Sequence, residues 1–145
     1  MQEARESRTP ESTAGDPPAY SVTLPRTEAS VARARRLVTT SLRDWSLEAG
    51  NADVCLVISE LVTNAVRHAR LDAVHVRVSQ VGPRRVRVAV VDRSRSMSRL
   101  VQAGVGDESG RGLVAVAGCS AAWGVEPMPW GKRVWADVEV RGGGS

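Results

Sequence analysis

The sequence contains no phenylalanine, one tyrosine and a single lysine, Lys132. Four Trp bring the aromatics to only 3% of 145 residues, so any core has to be built from Val, Leu, Ile and Ala. The aromatic platforms on which single-stranded nucleic acid stacks are correspondingly scarce. No apolar run approaches the roughly 20 residues that a membrane-spanning helix needs. The first 19 residues carry Glu, Arg, Asp and three Pro where a secretory signal has an apolar stretch, so the chain is expected to be cytoplasmic, with no membrane partner. Cys55 and Cys119 are the only cysteines and lack CxxC or Cys/His spacing, which gives no zinc site or disulfide framework; both are expected as buried thiols. The formal charge of +4 comes from arginines spread along the whole chain. That distribution predicts a mildly basic surface rather than direct binding of nucleic acid.

What is present has the composition of one folded domain: 42% hydrophobic and 25% charged residues, without internal repeats. Residues 1–19 are too polar to offset the entropy of ordering and read as a flexible tail. Order is expected over 20–140, with a flexible end at 141–145. YSVTLP from Tyr20 alternates like an edge strand, and Thr27 is placed to cap a helix reaching about Trp45, with Val31, Ala34, Leu37, Val38 and Leu42 on one face. After a break at Glu48–Asn51, a second helix is expected to about Ala69. Val54, Ile58, Leu61, Val62 and Ala65 share one arc, while Glu60, Thr63, Asn64, Arg67 and His68 share another. VHVRVSQV and VRVAVV alternate around Gly82-Pro83 as two antiparallel strands. Residues 93–109 have no period, Gly110-Arg111-Gly112 opens a short helix, and AAWGVE and RVWADVEV read as strands around a turn at Pro127 and Pro129. Helices on one face of a mostly antiparallel sheet, an α+β two-layer architecture, is the expectation.

Three pieces carry chemistry. Glu60 and Asn64 lie four residues apart, so a carboxylate and an amide point to one place on a helix. The carboxylate can accept a proton or orient a hydroxyl, and the amide oxygen is a hard donor of the kind Mg²⁺ takes alongside water and phosphate oxygens. Arg67, one turn on, can meet a phosphate. By itself this is the composition of an ordinary solvated helix face. Asp92 ends an apolar strand, where a carboxylate either begins a turn or accepts a hydrogen bond from an exocyclic amine such as that of adenine. Gly110-Arg111-Gly112 lets the main chain approach an anion at a helix start. It is neither a dinucleotide GxGxxG nor a GxxxxGK[ST] loop, so those two nucleotide folds are excluded.

In this order the pieces resemble the ATP-binding domain of the histidine-kinase-like ATPase (GHKL) superfamily. ELVTNAVRHA, VVDRS, ESGRGLVAV and WGKRVWADV are more closely similar to the actinobacterial, stand-alone type of bacterial anti-sigma-factor serine/threonine protein kinase. The resemblance covers about residues 20–140 and implies the Bergerat fold, a two-layer α/β sandwich with helices on one face of a mixed, mostly antiparallel sheet. It implies ATP and Mg²⁺ as cofactors, with Glu60 as the catalytic residue acting on the attacking hydroxyl and Asn64 as the metal ligand. It further implies that Arg67 faces phosphate, Asp92 reads the adenine amine, and Gly110, Arg111, Gly112 and Leu113 form the phosphate-end glycine box. Residues 98–109 would be the ATP lid, Met97 would pack either on the purine ring or on the core, and Lys132 would stand near the nucleotide. The implied partners are a sigma factor, an anti-sigma-factor antagonist of the STAS type that the kinase phosphorylates on Ser or Thr, and a second copy of the chain. One departure is plain: the usual DxGxG is here Asp92-Arg93-Ser94-Arg95-Ser96, with no glycine. The alternative is a non-catalytic ATP-binding partner-switch module that transfers no phosphate.

Overall fold

Val74, Val76 and Val78 alternate with His75, Arg77 and Ser79, and the computed structural model turns this alternation into the middle of a sheet. The structure describes residues 9–11, 17–68, 72–92, 116–129 and 131–141. The strands are β1 (Thr9–Glu11), β2 (Ala19–Pro25), β3 (Ala73–Gly82), β4 (Arg85–Asp92), β5 (Ala122–Met128) and β6 (Gly131–Glu139). They lie in the order β1-β2-β3-β4-β6-β5, and every pairing among the described residues is antiparallel. Thr9–Glu11, inside the segment expected to be a tail, pairs with β2, so β2 is an inner strand rather than the expected edge. Pro127, expected in a turn, falls inside β5 opposite Lys132, and the turn comes at Pro129. As an outermost strand of the described sheet, β5 tolerates a residue without an amide hydrogen.

Two helices cover one face: α1 (Ala29–Asp44) packs on β2 and β3, and α2 (Asn51–His68) packs on β4 and β6. The N-cap of α1 is Glu28 rather than the expected Thr27, and it makes no side-chain capping bond. The Thr27 hydroxyl instead lies 3.4 Å from that of Ser30, whose own hydroxyl donates to the Pro25 carbonyl at 2.5 Å. At the other end Tyr20 stacks on Trp45 with ring centroids 5.9 Å apart and donates to Asp44, which ties β2 to the last turn of α1. Leu42, Ile58 and Leu61 meet the sheet valines in the core, each buried side chain stabilising the fold by about 1.5–3 kcal/mol. Cys55 is buried as expected, whereas Cys119 is only half-buried.

Contacts at the two ends of α2 fix its direction over the sheet. Before its first turn, Gly50 lies so close to Val140 that an added Cβ would stand 2.5 Å from Val140 Cγ2, and the Val140 amide donates to Arg84. Near its last turn, Arg26 Nη1 donates to the Val66 carbonyl, and the Arg26 amide donates to Asp72 beside the start of β3. α2 therefore runs parallel to β4, and its C-terminal half lies at the end of the sheet where Asp92 stands.

The opposite face of the sheet holds an ionic network. Asp137 is 2% exposed, yet accepts two hydrogen bonds from Arg87, at 2.6 and 3.0 Å, and one from Arg85 at 3.1 Å. The Arg87 guanidinium also lies 4.9 Å from the ring centroid of Trp135. Burial pushes the Asp137 carboxyl up, but the hydrogen bonds and charges of Arg87 and Arg85 outweigh it and leave it below its ordinary 3.8. A carboxylate lowered in this way contributes stability that is fully present above about pH 4 and is lost as the pH falls through its folded-state value. Asp137→Asn is accordingly expected to cost about 1.5–3 kcal/mol at pH 7. Urea titrations below pH 4 should show a flatter acid limb in the variant; parallel limbs would contradict the assignment.

Candidate nucleotide site

Helical spacing brings Glu60 and Asn64 to one flank of α2, where both are half-buried, with Arg67 exposed one turn on. The opposite flank is taken by α1: Cys55 lies 3.8 Å from both the Thr39 hydroxyl and the Arg35 carbonyl. The Glu60–Asn64 flank thus turns away from α1 and overlooks the β4–β6–β5 side of the sheet. Since α2 runs parallel to β4, Asn64 and Arg67 lie toward the end of the sheet where Asp92 stands, and Glu60 lies one turn before Asn64, at the helix midpoint.

Asp92 shares the inward face of β4 with Val86, Val88 and Val90 and is 1% exposed. Directly across the strand pair stands Lys132, the chain's only lysine, 3% exposed. Its Nζ lies 3.3 Å from Asp92 Oδ2. The other carboxylate oxygen, Oδ1, is buried and accepts no hydrogen bond from the described residues. Burial pulls the Lys132 ammonium below its ordinary 10.5, and the charge and hydrogen bond of Asp92 only partly restore it. A buried carboxylate held in place is an acceptor suited to an exocyclic amine.

Of the residues predicted from sequence, the structure brings Asp92 and Lys132 together, and the direction of α2 sets Asn64 and Arg67 toward the same end of the sheet, with Glu60 at the helix midpoint. Met97, Gly110, Arg111, Gly112, Leu113 and the lid over 98–109 lie outside the described residues. Among the described residues no group of three or more His, Cys, Asp or Glu could by itself hold a metal. The donor set fits Mg²⁺ of the kind bound through one or two protein oxygens and completed by water and phosphate. It also fits a purine carrying an amino group, through Asp92.

The Asp92–Lys132 pair is the feature that sequence reasoning missed. Lys132 is expected near a nucleotide, but its ammonium is turned onto Asp92. The available signal was alternation: VVD and KRV put Asp92 and Lys132 on the apolar face of their strands once β4 and β6 are paired.

A model of the family described as histidine kinase-like ATPase domain matches residues 24–136. Among solved structures, the histidine kinase domain of a blue-light activated histidine kinase from Erythrobacter litoralis is similar at 21% identity with a TM-score of 0.50. The match covers 90% of this chain and 65% of that one, so the chain spans somewhat less than two thirds of its length. No curated protein matches.

Proposed function

Because the chain belongs to the histidine kinase-like ATPase domain family, and is an ATP-binding domain of GHKL type with the α+β Bergerat fold, we propose that it is an ATP- and Mg²⁺-dependent serine/threonine protein kinase acting as an anti-sigma factor. It would hold a sigma factor and phosphorylate an antagonist of that complex on Ser or Thr, in the cytoplasm. The observation that supports the site reading is the direction of α2, which sets Asn64 and Arg67 toward the end of the sheet where the buried Asp92–Lys132 pair stands. The kinase and anti-sigma roles are supported by the sequence motifs around those residues.

Each residue then has a task. Asp92 accepts a hydrogen bond from the adenine amine and orients the base. The Asn64 side-chain oxygen would hold Mg²⁺, and Arg67 would meet phosphate. Mg²⁺, when bound, supplies positive charge that offsets the phosphate oxygens. Glu60 orients the partner's hydroxyl and accepts its proton as oxygen attacks the terminal phosphorus, while the bond to the leaving diphosphate oxygen breaks. No covalent enzyme intermediate is required. Most of the rate gain comes from positioning, because the partner's docking makes the attack effectively unimolecular.

The test is transfer of γ-labelled phosphate from ATP to a STAS-type antagonist protein. Label on an antagonist Ser or Thr, dependent on Mg²⁺, is expected. ATP-dependent partner binding without transfer would replace the kinase with a binding module.

A further inference from the structure

Nothing in the sequence spacing marks Lys132 as the partner of Asp92, forty positions earlier, yet the two stand directly opposite across β4 and β6. Both are almost wholly removed from water, and the ammonium faces one carboxylate oxygen at 3.3 Å. Replacing a buried ion pair with apolar side chains is often neutral or stabilising. The pair is therefore poorly explained as a stability device, and its place beside the base-reading acid offers another use.

We propose that Lys132 is a positioning residue for nucleobase selection: it fixes the Asp92 carboxylate and holds it in its charged, acceptor-only form, so that the site takes a purine with a 6-amino group and rejects one with a 6-carbonyl. This deepens the ATP-binding reading and rests on it.

The chemistry is that of a donor–acceptor code. An ionised carboxylate can only accept, so it pairs with the amine of adenine and repels the carbonyl oxygen of hypoxanthine or guanine. A protonated carboxyl carries a donor as well and accommodates either. Burial favours the protonated form, whereas an adjacent ammonium favours the charged one. Lys132 lies on the face of β6 that continues into Val134, Ala136 and Val138, so its place in the core layer is set by strand register. A change in its charge therefore reaches the ligand through Asp92, without a contact of its own to the base.

ATP and ITP differ only at the purine edge that Asp92 would read, a 6-amine beside an acceptor N1 in adenine against a 6-carbonyl beside an N1–H donor in hypoxanthine, and make the test direct. Equilibrium dissociation constants are measured by calorimetry with Mg²⁺ for wild type, Lys132→Met and Lys132→Arg. Wild type is expected to favour ATP by at least about tenfold, Lys132→Met to lose about tenfold in that ratio, and Lys132→Arg, which keeps the charge, to retain most of it. Should Lys132→Met fail to fold, Lys132→Gln removes the charge while keeping a polar side chain and is expected to lower the ratio in the same way. If wild type prefers ATP and the neutral variants weaken both ligands equally, the nucleotide reading stands and the positioning role is overturned. A ratio that rises in Lys132→Met would also overturn it. Failure of wild type to bind either nucleotide would remove the nucleotide reading and this inference together.

Discussion

Asp92→Ala is expected to destabilise the domain by about 3–5 kcal/mol at pH 7, the usual cost of leaving half of a buried ion pair behind. Lys132 is 3% exposed and its ammonium would lose the carboxylate 3.3 Å away. The dependence on pH identifies the cause. Burial already holds Lys132 below 10.5, against the opposing charge and hydrogen bond of Asp92, and removing Asp92 deepens the depression. A lysine lowered in the folded state costs stability at pH values below its folded value and ceases to do so as the pH rises toward 10.5. The deficit of Asp92→Ala relative to wild type should therefore be largest near pH 7 and shrink by about pH 10. Urea unfolding at both values checks this, and a deficit that is constant with pH would point to lost packing instead. Asp92→Asn keeps the size and removes the charge. Through the adenine contact it should weaken ATP binding by about 10- to 100-fold, the range for a hydrogen bond to a charged group.

Glu60→Ala is expected to lower phosphotransfer by about 10²–10⁴-fold, the span of general acid–base contributions, while leaving the ATP dissociation constant within about threefold of wild type. The separation follows from position. Glu60 lies on the half-buried flank of α2, whereas the base is read by Asp92 at the end of β4, so their roles divide between the reacting end of the nucleotide and its base. Circular dichroism should be unchanged, because Glu60 is outside the apolar core. Equal losses in binding and transfer would assign Glu60 to binding alone. Full transfer in Glu60→Ala would remove its catalytic role and favour another base.

Much of this architecture was legible from local pattern. Alternating valines separated by Gly82-Pro83 define the β3–β4 hairpin, because a period of two has one solution when one face must be buried. The apolar arc of α2 does the same for the helix, and Asp92 interrupts the inward-facing valines of β4 just where the described strand stops. What was not legible depends on pairing between distant segments. The order β4-β6-β5 is what brings Lys132 onto Asp92, and Arg85 and Arg87 onto Asp137. RVRV and WADV each show which residues share a face, but not which strands are neighbours. Thr27 has the side chain of an α1 cap, but the chain's exit from Pro25 starts the helix one residue later.

The most direct measurement is a crystal structure of the chain with Mg²⁺ and a non-hydrolysable ATP analogue. The expected result is the adenine amine on Asp92, the metal on the Asn64 side-chain oxygen, the terminal phosphate at the Glu60 flank of α2, and Lys132 still paired with Asp92. An analogue seated on the opposite face of the sheet, around Trp135 and Arg87, or a base that leaves Asp92 untouched, would contradict it.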